Sequence, residues 1–207
     1  MEEMLDLKFL RGETLGVKSW LTDDIVNTMV TTDFAEYDGH WIETFTGKKF
    51  HYLSPEPGEI CIEDIAHALA LTCRFGGHCR EFYSVAEHSY RVAQLVAGRD
   101  KLSALLHDAH EAYLHDVPRP IKADIPGYKI LADRIQRAIN NAFCLTIYNP
   151  TYTKFADDTL LATEARDLMT GYLSWASLPL PLERHIQPVS WQLAEQVFLD
   201  FYDEYKV

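Results

Sequence analysis

Residues 102–120 read LSALLHDAHEAYLHDVPRP, and they carry an apolar helical run directly into a cluster of ionisable side chains. Pro118 and Pro120 prevent the helix from continuing, so the stretch predicts a helix over about 101–115. Ionisable groups are costly to bury unless they are paired or bound to a cation. A helix that only packs against a core has no use for so many of them. The cluster therefore predicts a chemical role, and it consists of His107, Asp108, His110, Glu111, His115 and Asp116.

Helical periodicity extends on both sides of this stretch. Ser84, with Glu87 three residues later, is typical of a helix N-terminus. Residues 41–45 and 48–52 alternate apolar and polar side chains on either side of a Thr-Gly turn, which predicts a short hairpin. The predicted fold is mainly α-helical, a single helical bundle with a small β-hairpin near the N-terminus. Further helices are predicted at about 62–73, 84–97, 128–144, 151–174 and 190–205.

The length and composition of the chain favour one domain. With 207 residues, 47% of them apolar, the chain can bury one substantial core. We expect residues 1–58 to form an N-terminal extension that contains the hairpin and packs on the core. Residues 59–207 are expected to form the helical core itself.

The charge of the chain excludes two classes of partner. Lysine and arginine number 19 against 31 acidic residues, which gives a net charge of −12. Nonspecific binding to nucleic acids or to membrane surfaces needs a basic face instead. The chain shows no apolar run of membrane-spanning length and no signal-peptide pattern, and its four cysteines lack CxxC spacing, which indicates reduced thiols. We therefore expect a cytoplasmic protein with no nucleic-acid and no membrane partner.

Two neighbouring side chains, His107 and Asp108, form the centre of a predicted metal site. Asp108 is rotated by about 100° from His107 on a helix, yet both can reach a cation that lies between them. Taken alone, the other candidates are ordinary half-buried or surface residues, and it is their order on successive helices that favours a site. Two imidazoles and two carboxylates suit Mn, Co, Zn or Fe. The candidates on other helices are His88 upstream and Asp157 or Asp158 downstream.

The remaining ionisable residues receive other interpretations. Glu111 lies one helical turn after His107, on the same face of the predicted helix. His110 and His115 are interpreted as surface residues or as neighbours of the site, without a ligand role. Three further charged residues lie close together in the sequence and are interpreted as forming salt bridges, without a catalytic role. They are Glu164, Arg166 and Asp167.

The order of these residues resembles the HD-domain phosphohydrolase superfamily. Within it, the chain looks most similar to small bacterial 5′-deoxynucleotidases and to phage-borne deoxynucleoside triphosphohydrolases. The resemblance covers roughly residues 60–175 and rests on the segments AEHS at 86–89, HDAHE at 107–111, DVPRPIK at 116–122 and AD at 156–157. It implies an HD-domain helical bundle. It also implies metal ligation by His88, His107, Asp108 and Asp157.

The resemblance implies further roles near the metal. Arg74 occupies about the place of the phosphate-contacting arginine, whose planar fork of donors suits phosphate geometry, and Phe75 that of an aromatic residue near the base or sugar. Glu111 matches the acid/base carboxylate, and Asp116 the carboxylate near the sugar and the leaving oxygen. Lys122 is a further candidate for phosphate binding. Phe75 replaces the tryptophan of some relatives, and GGH at 76–78 replaces bulkier residues, which leaves base specificity open.

The implied activity is hydrolysis of the 5′ phosphate ester of 2′-deoxynucleotides with a divalent metal, Mn, Co, Zn or Mg. The products are a deoxynucleoside plus triphosphate from a dNTP, or plus phosphate from a dNMP, with dATP or dAMP as a leading candidate. The protein is expected to be at least a dimer, in bacterial or phage-infected host cytosol. Two alternatives stay open: another HD hydrolase, acting on cyclic nucleotides or (p)ppGpp, and a non-catalytic nucleotide-binding module.

Overall fold

Helices dominate the computed structural model, which describes residues 39–145, 150–171 and 178–206. A two-stranded antiparallel sheet precedes the helices, so the predicted mainly α fold with a small N-terminal hairpin is confirmed. Most of the predicted extension, residues 1–38, lies outside the described residues. The helices are α1 Ile62–Leu71, α2 Val85–Leu95, α3 Lys101–Leu105, α4 Glu111–Leu114, α5 Arg119–Asp124, α6 Tyr128–Ala142, α7 Pro150–Leu168 and α8 Trp191–Tyr205.

The hairpin pairs β1, Trp41–Glu43, with β2, Lys49–His51. Its turn is fixed from outside, because Asp64 at the start of α1 accepts hydrogen bonds from the backbone N–H (2.7 Å) and the hydroxyl (3.0 Å) of Thr46. Phe50 is fully buried and stacks on Tyr113 of α4 at 3.7 Å between ring centroids. The hairpin thus contributes a side chain to the same core as the helices.

Helix α2 occupies the centre of the helical packing. It contacts α1, α3, α7 and α8, and seven of its residues are buried, from Val85 to Ser89 together with Val92 and Ala93. The helix begins where expected, because the Ser84 hydroxyl accepts a hydrogen bond from the Glu87 amide at 3.0 Å and so satisfies one amide of its first turn. A residue on α2 is therefore surrounded by side chains from several other elements.

The predicted helix over 101–115 is wrong in one respect, because it is interrupted. Helix α3 ends at Leu105 and α4 begins at Glu111, with turns between them. The His107 ring hydrogen-bonds the Ala104 carbonyl through Nδ1 at 2.7 Å, and this is the carbonyl that a continuous helix would offer to the amide of residue 108. The amide of Glu111 accordingly donates to the Asp108 carbonyl three residues back. His107 and Glu111 are consequently not one turn apart on a regular helix.

One helix end and one short helix also differ from the sequence prediction. Helix α7 ends at Leu168, where the Leu168 carbonyl accepts a hydrogen bond from the Arg80 amide at 2.9 Å; of the predicted continuation, residues 172–174 lie outside the described part. The short helix α5 was not predicted, but Pro120 stands in its first turn, where the missing amide hydrogen is not needed. Within the described ranges, no helix combines the length and the hydropathy that a bilayer span requires.

Candidate metal centre and pocket

His88 lies on α2, the helix that contacts α1, α3, α7 and α8, and its side chain is fully buried. Its Nδ1 atom is 2.6 Å from the Glu164 carboxylate oxygen Oε1. A carboxylate only accepts hydrogen bonds, so Nδ1 carries the proton of this bond. In the neutral ring, Nε2 is then left with its lone pair, which is the form that binds a metal.

His107 is held in the same way by a different acceptor. Its Nδ1 atom donates to the Ala104 carbonyl at 2.7 Å, which again leaves Nε2 as the atom that points into the site. The Oδ2 atom of Asp108 lies 3.2 Å from this Nε2 atom. The interrupted helix thus directs two side chains that are adjacent in sequence toward one point.

Asp157 approaches the same point from α7. Its Oδ1 atom lies 3.3 Å from His88 Nε2, and its Oδ2 atom lies 3.5 Å from Lys154 Nζ. The neighbouring Asp158 also pairs with Lys154 and has no ion pair with His88 or His107 among the described residues. Of the two aspartates left open by the residue pattern, Asp157 is the one that the structure brings to the histidines.

The ligand atoms of His88, His107 and Asp108 all lie within 4.8 Å of one another, so this group can hold a metal ion. The Nε2 atoms of both histidines are buried and have no aligned hydrogen-bond partner among the described residues. A buried polar atom without a partner is costly. A cation between the imidazoles and carboxylates would satisfy both atoms, and the donor set therefore fits a divalent metal.

The charges around this point also favour a cation. Burial and Arg74 oppose the charged form of His88, but Glu164 and Asp157 outweigh them and raise the pKa of His88 to about 9. Burial likewise opposes ionisation of the aspartates, yet His88 holds the pKa of Asp157 below its usual range, and His107 does the same for Asp108. Two ionised carboxylates thus face two imidazoles, and a metal can replace the protons of the imidazoles.

Glu111 lies beside the metal ligands and pairs with a lysine. Its Oε1 atom is 2.5 Å from Lys122 Nζ, and Asp116 Oδ1 is 3.8 Å from the same nitrogen. Burial and the charges of Asp108 and Asp116 outweigh the effect of Lys122 and raise the pKa of Glu111 to about 8. The second oxygen, Oε2, is buried without a hydrogen-bond partner in the described part of the chain.

Arg74 and Phe75 form a short, tightly turned segment at the edge of the site. The Arg74 guanidinium is buried and pairs with Glu164 Oε2 at 3.0 Å, and it lies 5.2 Å from the centroid of the Phe75 ring. Phe75 adopts φ 57° and Gly76 φ 61°, in the left-handed region. Such backbone strain at a non-glycine residue is found most often where a side chain is held for function.

These groups surround a cavity of about 610 Å3. Seven of the residues that the sequence predicted for the site line it, while His88 and His107 lie behind Asp108 and Asp157. The other lining residues combine two exposed basic side chains, His78 and Arg119, with an apolar wall. The lining residues within the described part of the chain are Arg74, Phe75, His78, Asp108, Glu111, Asp116, Val117, Pro118, Arg119, Pro120, Lys122, Asp157, Leu161, Met169 and Leu178.

The sequence analysis interpreted Glu164, Arg166 and Asp167 as a group of salt bridges, and the structure shows different partners for Glu164. Arg166 pairs with Asp167 at 2.7 Å, whereas Glu164 is fully buried and binds His88 and Arg74. The missed signal is a spacing, since Asp157 and Glu164 are seven residues apart and therefore lie on the same face of α7. His110 pairs with Gln136, its Nδ1 atom lying 3.1 Å from Gln136 Oε1.

Two curated proteins are similar to this chain over most of their length. YfdR of Escherichia coli (strain K12) is 44% identical over 128 residues, which cover 62% of this chain and 72% of YfdR. RCAP_rcc00048 of Rhodobacter capsulatus is 39% identical over 145 residues, which cover 64% of this chain and 74% of that protein. Both carry the description "uncharacterized protein". No protein-family model matches the chain.

Proposed function

The chain belongs to the family of YfdR and RCAP_rcc00048, and from its metal centre and pocket we propose that it is a metal-dependent phosphohydrolase of 2′-deoxynucleotides. The observation that carries the proposal is the pair of buried, unpartnered Nε2 atoms of His88 and His107, which face the carboxylates of Asp108 and Asp157. This arrangement agrees with the ligand set that the resemblance to HD-domain phosphohydrolases implies.

A divalent cation held by these four side chains supplies Lewis-acid polarisation of a phosphoryl oxygen and makes water more acidic. Two imidazoles and two carboxylates suit Mn, Co, Zn or Mg, with no thiolate to select zinc. The cation and the basic side chains also explain how a chain of net charge −12 can bind an anion, because they reverse the sign of the local field.

The chain's own residues bind and orient the substrate. Arg74 offers a planar guanidinium to the phosphate, and Lys122 adds a second positive charge at the other side of the cavity. A volume of about 610 Å3 is typical of a pocket for a small organic ligand. The base and sugar would lie against the apolar wall, which includes Phe75, Leu161 and Met169.

Glu111 and Asp116 handle the protons of the reaction. A carboxyl group with a pKa of about 8 exchanges its proton near neutral pH, where a general acid or base is most effective. Glu111 Oε2 has no other bond to maintain and can take a proton from the attacking water. Asp116 lines the cavity 3.8 Å from Lys122, and its proposed role is to pass a proton to the leaving 5′ oxygen. The products are a deoxynucleoside plus phosphate or triphosphate.

The cytosol is the proposed place of action, where deoxynucleotides are found. All four cysteines are free thiols in the structure, which agrees with a reducing compartment.

A chromatographic substrate panel tests the proposal. The purified chain is incubated with each dNMP, dNTP, NTP, cyclic nucleotide and (p)ppGpp in the presence of Mn, Co, Mg or Zn, and the products of each reaction are measured. We expect deoxynucleoside release from deoxynucleotides, adenine nucleotides foremost, and none from the Asp108→Ala variant. Cleavage restricted to ribonucleotides, cyclic nucleotides or (p)ppGpp would contradict the substrate class. Normal turnover by Asp108→Ala would contradict the metal centre itself.

A further inference from the structure

Glu164 is a buried carboxylate that joins two different parts of the site. Its side chain has no exposed surface. One oxygen, Oε1, accepts from His88 Nδ1 at 2.6 Å, and the other, Oε2, accepts from Arg74 Nη2 at 3.0 Å. The two partners belong to different roles, since His88 is a metal ligand and Arg74 lines the pocket.

The bond to His88 determines which nitrogen is left for a metal. A carboxylate acceptor keeps the proton on Nδ1 and orients the ring, so that Nε2 faces the other ligands. His107 has a backbone carbonyl for the same purpose, and this carbonyl cannot be changed by side-chain substitution. Of the two histidines, only His88 depends on a replaceable side chain for its tautomer.

The bond to Arg74 fixes the guanidinium while leaving it able to donate further. Nη2 is used by Glu164, but Nε is buried and has no hydrogen-bond partner among the described residues. A buried donor without a partner, on a side chain that lines a cavity, points to an anionic or polar ligand. Glu164 thus holds an arginine that lines the cavity and retains donors for a further partner.

We propose that Glu164 is a positioning residue that makes metal binding and phosphate binding depend on the same carboxylate. The inference rests on the proposed function, because it presumes a cation at His88 and a phosphate at Arg74. Glu164 touches neither. It acts by holding the imidazole of His88 and the guanidinium of Arg74 in the orientations that their ligands require.

Glu164→Gln is the informative variant. A glutamine side chain has one acceptor oxygen and one NH2 group, so it must turn a donor toward either His88 or Arg74. Because Arg74 can only donate, the amide oxygen should stay with Arg74 and the NH2 group should face His88. An NH2 group that faces His88 needs Nδ1 as an acceptor. It therefore favours the tautomer whose proton is on Nε2, and this tautomer cannot bind a metal through Nε2. We expect Mn2+ affinity, measured by calorimetry, to fall by about 10–100-fold. Inorganic phosphate affinity should fall by about tenfold, because a neutral oxygen holds the guanidinium less firmly than a carboxylate does.

Glu87→Gln is the matched control. Glu87 is also a buried glutamate paired with an arginine, Arg91, and it directly precedes His88 in the sequence. It makes no bond to His88 or Arg74, because its second oxygen accepts from the Val189 amide. This variant should lose thermal stability while it keeps Mn2+ and phosphate affinity within about twofold of the original chain.

A measurement on the unaltered protein covers the case in which Glu164→Gln does not fold. In the Zn2+-loaded chain labelled with 15N-histidine, NMR should find His88 protonated at Nδ1 and bound to the metal through Nε2. A His88 ring bound through Nδ1 would overturn the proposal.

The other outcomes separate this inference from the proposed function. A chain that binds no divalent metal overturns both. If the original chain binds Mn2+ and hydrolyses deoxynucleotides, but folded Glu164→Gln keeps its Mn2+ and phosphate affinities or Glu87→Gln loses them equally, only the role of Glu164 is overturned.

Discussion

Each histidine of the candidate metal centre is held by one nitrogen and offers the other. His88 uses the Glu164 carboxylate and His107 the Ala104 carbonyl. This division fixes the tautomer before any ligand arrives, so little rotational freedom remains to be lost on binding. At the scale of single residues, the site is therefore organised by the hydrogen bonds behind the ligands as much as by the ligands themselves.

Replacing Asp157 and replacing Asp158, the two neighbouring aspartates of α7, should have different effects on metal binding. Asp157→Ala removes a carboxylate 3.3 Å from His88 Nε2, and we expect Mn2+ affinity to fall by roughly a hundredfold or more. Asp158→Ala removes one of the two carboxylates that pair with Lys154, whose ammonium also lies 3.5 Å from Asp157 Oδ2, and should leave the affinity nearly unchanged. Isothermal titration of both variants checks this, and equal affinities would mean that Asp157 is not a ligand.

Glu111 should make the stability of the metal-free protein depend on pH. Its pKa of about 8 in the folded chain lies above the usual 4.5, so the folded state binds the proton more tightly. The stabilisation is complete below pH 4.5 and is lost as pH rises through about 8. Each unit by which the pKa of the folded state exceeds that of the unfolded state corresponds to about 1.4 kcal/mol in the free energy of unfolding. Glu111→Gln should therefore gain melting temperature relative to the original chain between pH 5 and pH 9, measured in EDTA.

The exposed Glu63 of α1 supplies the control for this pH series. Glu63→Gln should show the same difference from the original chain at both pH values. A flat profile for Glu111→Gln as well would contradict the raised pKa of Glu111.

Some of these residues could be found in the sequence and others could not. His107 and Asp108 stand out because adjacent ionisable groups interrupt an apolar run. Glu164 does not, because an acidic residue near Arg166 is indistinguishable from an ordinary surface ion pair until the chain is folded. The seven-residue spacing from Asp157 indicates that Glu164 lies on the same face of α7, but it does not identify the partners of Glu164, which are 76 and 90 positions away.

At the scale of elements, the break between α3 and α4 allows consecutive residues to act together. Side chains at neighbouring positions of a regular helix diverge by about 100°. The turns after Leu105 remove this divergence for His107 and Asp108, whose Nε2 and Oδ2 atoms are 3.2 Å apart. The sequence predicted the start and the end of this stretch, because an apolar run and prolines mark them. It did not predict the break, which depends on a bond between a side chain and a backbone carbonyl.

Helix α2 offers a test of how its N-terminus supports the site. Ser84 and Ser190 both cap a helix by accepting a hydrogen bond from the amide three residues on. Replacing either with alanine should cost about 1 kcal/mol of stability in urea unfolding. Only Ser84→Ala should also weaken Mn2+ binding, because His88 lies in the first turns of α2. Equal Mn2+ affinities for the two variants would show that the cap does not position His88.

On the scale of the whole molecule, the candidate site lies between helices that contact one another in the described part of the chain. The helix that carries His88 contacts four other helices, and the helix that carries Asp157 and Glu164 is one of them. The mainly α architecture could be predicted from periodicity and capping residues. Which helices pack against one another could not be predicted, because the amphipathic pattern of a helix indicates which face is buried but not which helix covers it.

The protein is expected to form at least a dimer. In the described part of the chain, Ile130 is 66% and Phe155 63% exposed, and exposed apolar side chains of this kind are candidates for the contact between subunits. Light scattering coupled to size-exclusion chromatography should give a mass of at least twice 23.8 kDa. Elution as a monomer at micromolar concentration would contradict this expectation.

The long span of the Glu164 bonds has a consequence for synthesis on the ribosome. Arg74 and His88 leave the exit tunnel well before the carboxylate that they share, which lies 90 and 76 positions later. A nascent or prematurely terminated polypeptide that lacks α7 therefore has neither Asp157 nor Glu164. Such a product carries His88, His107 and Asp108 but lacks the carboxylate that holds the His88 ring, so its candidate metal centre is incomplete.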